Sequence, residues 1–238
     1  MRLSAEQMNE NFEKLTTIIS SEFTGERKDN LLNLHMNWYD RIATAPASTK
    51  TSYFNAFPGG YVLHVLDVCK AAALLYDVWT QMKGPLDFTW EELAFVAINH
   101  DLGKIGSESE DLYIECTEDW MLRKGIKYVL NPKLQYMKAS DRSLMTLSSN
   151  GIQMTDKEYL AIKLVDGLYE DSNKAYFMAY NEDYELKTML PHVLHQADLI
   201  SCKAASSATA NLGSKPAPKK EVVVSTVATK TFSKFFNE

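Results

Sequence analysis

The sequence predicts an all-α bundle, and three observations carry that prediction. Ser4-Ala5-Glu6-Gln7, Thr89-Trp90-Glu91-Glu92 and Thr155-Asp156-Lys157-Glu158 each set a hydroxyl three residues before a Glu or Gln. That is the capping box, in which side chain and backbone satisfy each other at the start of a helix. Apolar residues then recur at helical spacing over long stretches. Strand-like patterning is scarce and confined to one short segment.

Each element follows from local pattern. After the first box, Met8, Phe12, Leu15, Ile18, Ile19 and Phe23 define an amphipathic helix to about Glu22. Gly25 interrupts, and a second helix is expected over Arg27 to Ile42, with Leu31, Leu34, Trp38 and Ile42 buried. His35 on this helix reads as a partly buried or surface histidine rather than a ligand. Ala43 to Pro58 is rich in Ala, Pro, Ser and Thr and reads as a loop. Gly60 to Lys83 reads as one long helix with His64, Val68 and Ala71 on one side. The second capping box opens a helix from Glu91 to Asn99.

Asp111 to Asn131 breaks the helical pattern, with Tyr113, Ile114, Trp120, Tyr128 and Val129 around Gly125. A small β-hairpin or irregular insertion is expected there, beside the loop that follows Asn99, where it would wall a pocket. Helices are expected over Asp141 to Ser149, from the third box through Val165, and from Leu186 to about Ala205, with Pro191 near the start of the last. From Ser206 the chain turns to Ser, Ala, Thr, Pro and Lys. The domain is therefore drawn at 1–205, a flexible linker at 206–227 and a docking peptide at 228–238, the last two forming a disordered tail.

Composition narrows the function. The net charge of −6 disfavours sequence-independent binding to long duplex nucleic acid. It does not oppose a small phosphate substrate held through a metal ion, which brings its own positive charge. The three cysteines are few and widely spaced, so a disulfide framework or zinc ribbon is not expected and a reducing cytoplasm fits. No apolar signal core opens the chain, and no apolar run approaches the length of a membrane span.

The chemistry gathers at Ile98-Asn99-His100-Asp101-Leu102-Gly103-Lys104. Imidazole and carboxylate both bind divalent metals, and a helix end loosening into a glycine turn lets adjacent residues reach one ion. His64 lies upstream in Gly59-Gly60-Tyr61-Val62-Leu63-His64, and Asp198 downstream in His195-Gln196-Ala197-Asp198. With these residues in order, the sequence resembles the HD-domain metal-dependent phosphohydrolase superfamily over roughly residues 50–205. The resemblance implies an HD-domain helical bundle with His64, His100, Asp101 and Asp198 as metal ligands, each element on a different helix. It also implies that Lys104 faces phosphate; a solvent-facing lysine after a turn is the plain alternative. Relatives of this type often carry a histidine pair before the glycines. Here Ser52 to Phe57 has none.

Other residues keep two readings. Asp67, one turn beyond His64, either touches substrate or orients a ligand, or is a solvated charge. Arg142 either adds charge to phosphate or is a surface arginine. His195 shares a helix face with Asp198 and is either a substrate group or a packed histidine; His192 points elsewhere and is structural.

Members with two-metal sites add histidines between the His-Asp pair and the last Asp. This chain has no histidine between His100 and His192. One divalent ion is therefore expected, and a di-iron oxygenase is disfavoured. Mixed nitrogen and oxygen ligation suits Mn, Co, Ni, Fe or Zn better than Mg. The ion would polarise a phosphoryl group and acidify a water, with Asp101 as ligand and partner of that water and Lys104 neutralising charge on the leaving oxygen.

The expected activity is hydrolysis of a phosphomonoester or phosphodiester in a nucleotide or short oligonucleotide. The alternative is a regulatory or binding module without turnover. Phe232, Phe235 and Phe236 in the tail resemble sliding-clamp peptides, although Thr229 stands where the usual leading Gln would be. Clamp binding would recruit the enzyme to replication, as suits a phage-like replicon; folding back onto the domain and self-association are the other readings of the tail.

Overall fold

A computed structural model describes residues 3–82 and 86–210, with side chains to residue 207. The expected docking residues Phe232, Phe235 and Phe236 lie outside the described residues, as does most of the expected linker.

The chain is mostly helical. Its helices are α1 (Ala5–Glu22), α2 (Gly25–Asn37), α3 (Tyr39–Thr44), α4 (Gly60–Gln81), α5 (Trp90–Asn99), α6 (Asp119–Arg123), α7 (Ala139–Ser149), α8 (Asp156–Lys163), α9 (Lys174–Phe177) and α10 (Leu190–Ala210). All three capping boxes form, with both hydrogen bonds of each made, at the starts of α1, α5 and α8. The apolar faces they announce meet in one core that includes Leu15, Ile18, Tyr61, Val65, Phe95, Ile98, Ile162 and Leu194. α4 lies at its centre, packed on α1, α3, α5 and α10. α5 is buried on every side from Leu93 to Asn99, which suits a helix at the middle of a bundle rather than on its surface.

Three boundaries differ from expectation. The second helix breaks at Trp38, whose φ of −106° and ψ of 19° lie outside the helical region. α2 and α3 therefore replace one continuous helix. His35, expected at least partly exposed, is fully buried on α2. Its Nδ1–H donates to the Leu31 carbonyl at 2.9 Å, a local bond that lets the ring enter the core uncharged. The last helix begins later than expected, at Leu190, and runs past the Ala205 boundary to Ala210. Alanine is the best helix former, so Ala204 and Ala205 carry the helix past the expected boundary.

The insertion is a hairpin. β1 (Tyr113–Glu115) pairs antiparallel with β2 (Tyr128–Leu130), Ile114 opposite Val129, and the short α6 fills the connection. Between α8 and α10 the chain runs through short 3-10 turns and α9. No helix among the described residues is long and apolar enough to cross a membrane.

Candidate metal centre

Three elements deliver four side chains to one point. His64 projects from the second turn of α4. That helix starts against the 51–58 loop so closely that a Cβ on Gly60 would overlap the Asn55 carbonyl oxygen. The second glycine of the pair is thus a packing requirement. His100 ends α5, and Asp101 opens the 3-10 turn Leu102–Ile105. Gly103 in that turn lies directly on the first turn of α7, and a Cβ there would overlap the Ala139 carbonyl oxygen. The buried Ser143 of α7 fastens the turn: its Oγ accepts from Gly103 N at 2.8 Å and lies 2.9 Å from the His100 carbonyl, to which it donates. Asp198 comes from α10, which packs along α4.

The ligand atoms converge. His64 Nε2 lies 3.1 Å from Asp198 Oδ1, 3.3 Å from Asp101 Oδ2 and 3.3 Å from His100 Nε2. His100 Nε2 is 3.5 Å from Asp101 Oδ2 and 3.7 Å from Asp198 Oδ1. Donors bound at about 2.0–2.2 Å to one ion stand roughly 3.0–3.6 Å apart when adjacent, so the spacings around His64 and His100 are close to those of donors to one ion, and His64, His100 and Asp101 form a group whose ligand atoms all lie within 4.8 Å of one another. The donor chemistry fits as well: two imidazoles and two carboxylates balance a divalent charge. His100 Nδ1–H donates to the Ala97 carbonyl at 3.0 Å, which leaves Nε2 as a lone-pair donor facing the cluster. Among the described residues His64 Nδ1 is buried with no hydrogen-bond partner, so the polar contacts of this ring are those of its Nε2.

The electrostatics have one sense. Burial opposes charge on His64, but hydrogen bonds to Asp101 and Asp198 outweigh it and raise the imidazole above its ordinary value. Burial likewise opposes charge on Asp101. The Lys104 ammonium and the two histidines overcome it and hold that carboxyl well below the usual range. Asp198 is held down by His100 and His64 against the same cost of burial. Lys104 and the two histidines thus keep the carboxylates ionised, the form in which they bind a metal ion. Lys104 Nζ is 2.5 Å from Asp101 Oδ2 and is itself held charged by Asp101. It also lies 4.8 Å over the Phe54 ring, which in turn stands 4.6 Å from the ring of His64. The loop without ligand histidines thus supplies an aromatic wall.

The remaining candidates separate. His195 lines the cavity beside Asp198, but its Nδ1–H donates to the Val165 carbonyl at 2.7 Å and its ring lies against Gly167. Arg142, read as a phosphate contact or a surface arginine, is buried under the site turn and donates from Nη2 to the Gln135 carbonyl at 2.7 Å. Among the described residues it makes no contact with the four ligands. Asp67 is half-buried and feels the His64 charge, yet among the described residues it joins no cluster that could hold an ion.

Several site residues went unread in the sequence. Asp166 is exposed at the cleft. Although the residue as a whole is exposed, its carboxyl is turned into the cleft, and partial burial with the nearby Asp101 charge raises it above its ordinary value. Among the described residues the hydroxyl of buried Tyr61 has no hydrogen-bond partner, and it also feels Asp101. Arg41 of α3 gathers the segment after Lys104, donating to the carbonyls of Ile105, Ser107, Glu108 and Glu110 and to Asp111 at 2.6–3.0 Å.

Open space adjoins the centre on two sides. A cavity of about 500 Å³ is lined by Tyr53, Phe54, Asp166, Tyr169, His195 and Asp198, among others. A smaller one of about 260 Å³ reaches Lys104 and is bounded by Tyr113, Glu115 and Tyr128 of the hairpin. The insertion therefore walls a cavity that touches the site. Comparison of the chain with models of protein families, with curated proteins and with solved structures finds no match.

Proposed function

We propose that His64, His100, Asp101 and Asp198 hold one divalent metal ion, and that the chain is a phosphohydrolase acting on a nucleotide or short oligonucleotide. The observation that supports this most is the convergence of four ligand atoms, from α4, the end of α5 and α10, within 3.1–3.7 Å of His64 or His100 Nε2. Mn, Co, Ni, Fe and Zn suit the donors better than Mg.

When bound, such an ion polarises a phosphoryl oxygen and lowers the pKa of a water. The chain's own residues supply the rest. Asp101, with one oxygen toward the cluster, is placed to orient an attacking water. Lys104 provides a fixed positive charge on the same side, aimed at the phosphate as negative charge moves to the leaving oxygen. Asp166 lines the same cavity as Asp198 and is the carboxyl there that would pass a proton to the leaving group. Tyr53, Phe54 and Tyr169 give the larger cavity aromatic walls against which a base can stack. Its volume lies in the range of small-molecule sites.

The test is release of phosphate or nucleoside from mono-, tri-, cyclic and oligonucleotides with Mn, Co, Ni, Zn and Mg supplied separately. Metal-dependent turnover should fall by at least about a thousandfold in Asp101→Ala, which loses a ligand and the water's partner together. Absence of turnover on every substrate, with metal bound, would replace this reading with a regulatory module.

A further inference from the structure

One metal-binding side chain lies at the centre but outside the four-residue set. Cys202 is one helical turn beyond Asp198 on α10, so the two share a face. Its Sγ is 3.4 Å from Asp198 Oδ1, to which it donates. His64, Asp198 and Cys202 form a second group whose ligand atoms all lie within 4.8 Å of one another. His64 belongs to both this group and the one it forms with His100 and Asp101. The thiol is partly exposed and lines the same cavity as Asp166 and Asp198. The other two thiols have no such setting: Cys69 is buried in the core, and Cys116 lies by the hairpin, 4.0 Å from the Glu118 carbonyl.

We propose that the Cys202 thiolate is a further ligand of the same ion, making the centre a mixed nitrogen, oxygen and sulfur site selective for zinc, cobalt or iron over manganese and magnesium. The inference rests on the metal centre proposed above. Sulfur binds at about 2.3 Å and oxygen at about 2.1 Å, so a sulfur–oxygen separation near 3.4 Å is that of adjacent donors on one ion. As the metal–sulfur bond forms, the thiol proton now shared with Asp198 leaves to solvent, and Asp198 Oδ1 loses a hydrogen bond as it gains the ion. The added negative charge falls in a site that already holds the Lys104 ammonium. Soft thiolate favours Zn and Co over the harder Mn and Mg, so Cys202 sets which metal the centre takes.

The experiment is a cobalt titration of the full chain after chelation, under reducing conditions, in wild type and Cys202→Ser. The expected result is visible d–d absorption in both proteins, with a near-ultraviolet sulfur-to-cobalt charge-transfer band in wild type alone. Competition should show zinc affinity reduced about tenfold or more in Cys202→Ser, with manganese affinity little changed. Visible bands without charge transfer in wild type would overturn the role of Cys202 and leave the four-ligand centre standing. So would a charge-transfer band that survives in Cys202→Ser. Absence of any cobalt spectrum would overturn both.

Discussion

His35 is fully buried, and burial lowers its pKa from 6.5 to about 4 despite the hydrogen bond to Leu31. In the unfolded chain the ring takes up a proton as pH falls through 6.5; in the native state it does so only near 4. Across that window the unfolded state binds more protons, so stability declines as the pH is lowered, by about 3 kcal/mol in all. Urea denaturation of wild type and His35→Leu at pH 7 and pH 4.5 should show a smaller acid loss in the variant. An equal loss in both would mean that the ring is not kept neutral in the fold. The sequence marked His35 as no ligand, but its depth depends on which helices close over α2, and no local pattern records that. The four candidate ligands could be singled out because each combines a metal-binding type with a fixed local context: a glycine pair, a helix end, a helix face. Tyr61, Asp166 and Arg41 act through neighbours distant in the chain. Cys202 was readable in principle, four residues after Asp198 on one helix, but its small thiol reads first as core.

At the scale of elements, capping boxes and apolar spacing placed α1, α4, α5, α7 and α8 within a few residues, because those signals act within one turn. The break at Trp38 and the run of α10 past Ala205 escaped because no glycine or proline stands at either point to announce it. Why the turn Leu102–Ile105 contains a glycine became visible only in the packing. Gly103 meets the α7 backbone, which cannot swing away as a side chain can. Gly103→Ala should therefore cost about 3 kcal/mol or more and weaken metal binding, because the His-Asp turn must lift from α7. Gly151 gives the contrast: its φ of +69° strains any side chain, but a Cβ there meets only the Asn30 amide at 3.7 Å. Gly151→Ala should cost about 1 kcal/mol and leave metal affinity unchanged. Denaturant midpoints and metal titrations of the two variants decide the matter, and equal effects on metal binding would detach Gly103 from the site.

At the scale of the molecule, the proposed centre joins parts of the chain that the core alone would hold less firmly. α4 and α5 bring His64, His100 and Asp101, whereas Asp198 and Cys202 arrive on α10, after the long irregular stretch that follows α8. An ion bound by all of them ties the end of the domain to its middle and binds the native state only. At a free concentration of about 100 times its Kd it should add about 2.7 kcal/mol. For a domain of this size that corresponds to roughly 5–10 °C in Tm. Thermal unfolding of the full chain in EDTA and in excess zinc should differ by about that much. Asp198→Ala should abolish the difference, since α10 then carries no carboxylate to the ion. Cys202→Ser should shrink it for zinc and not for manganese. The thermal shift is independent of turnover, so it separates a metal centre without catalysis from no metal centre. A Tm indifferent to zinc and to chelator would mean that the four converging side chains hold no ion, whatever their spacing.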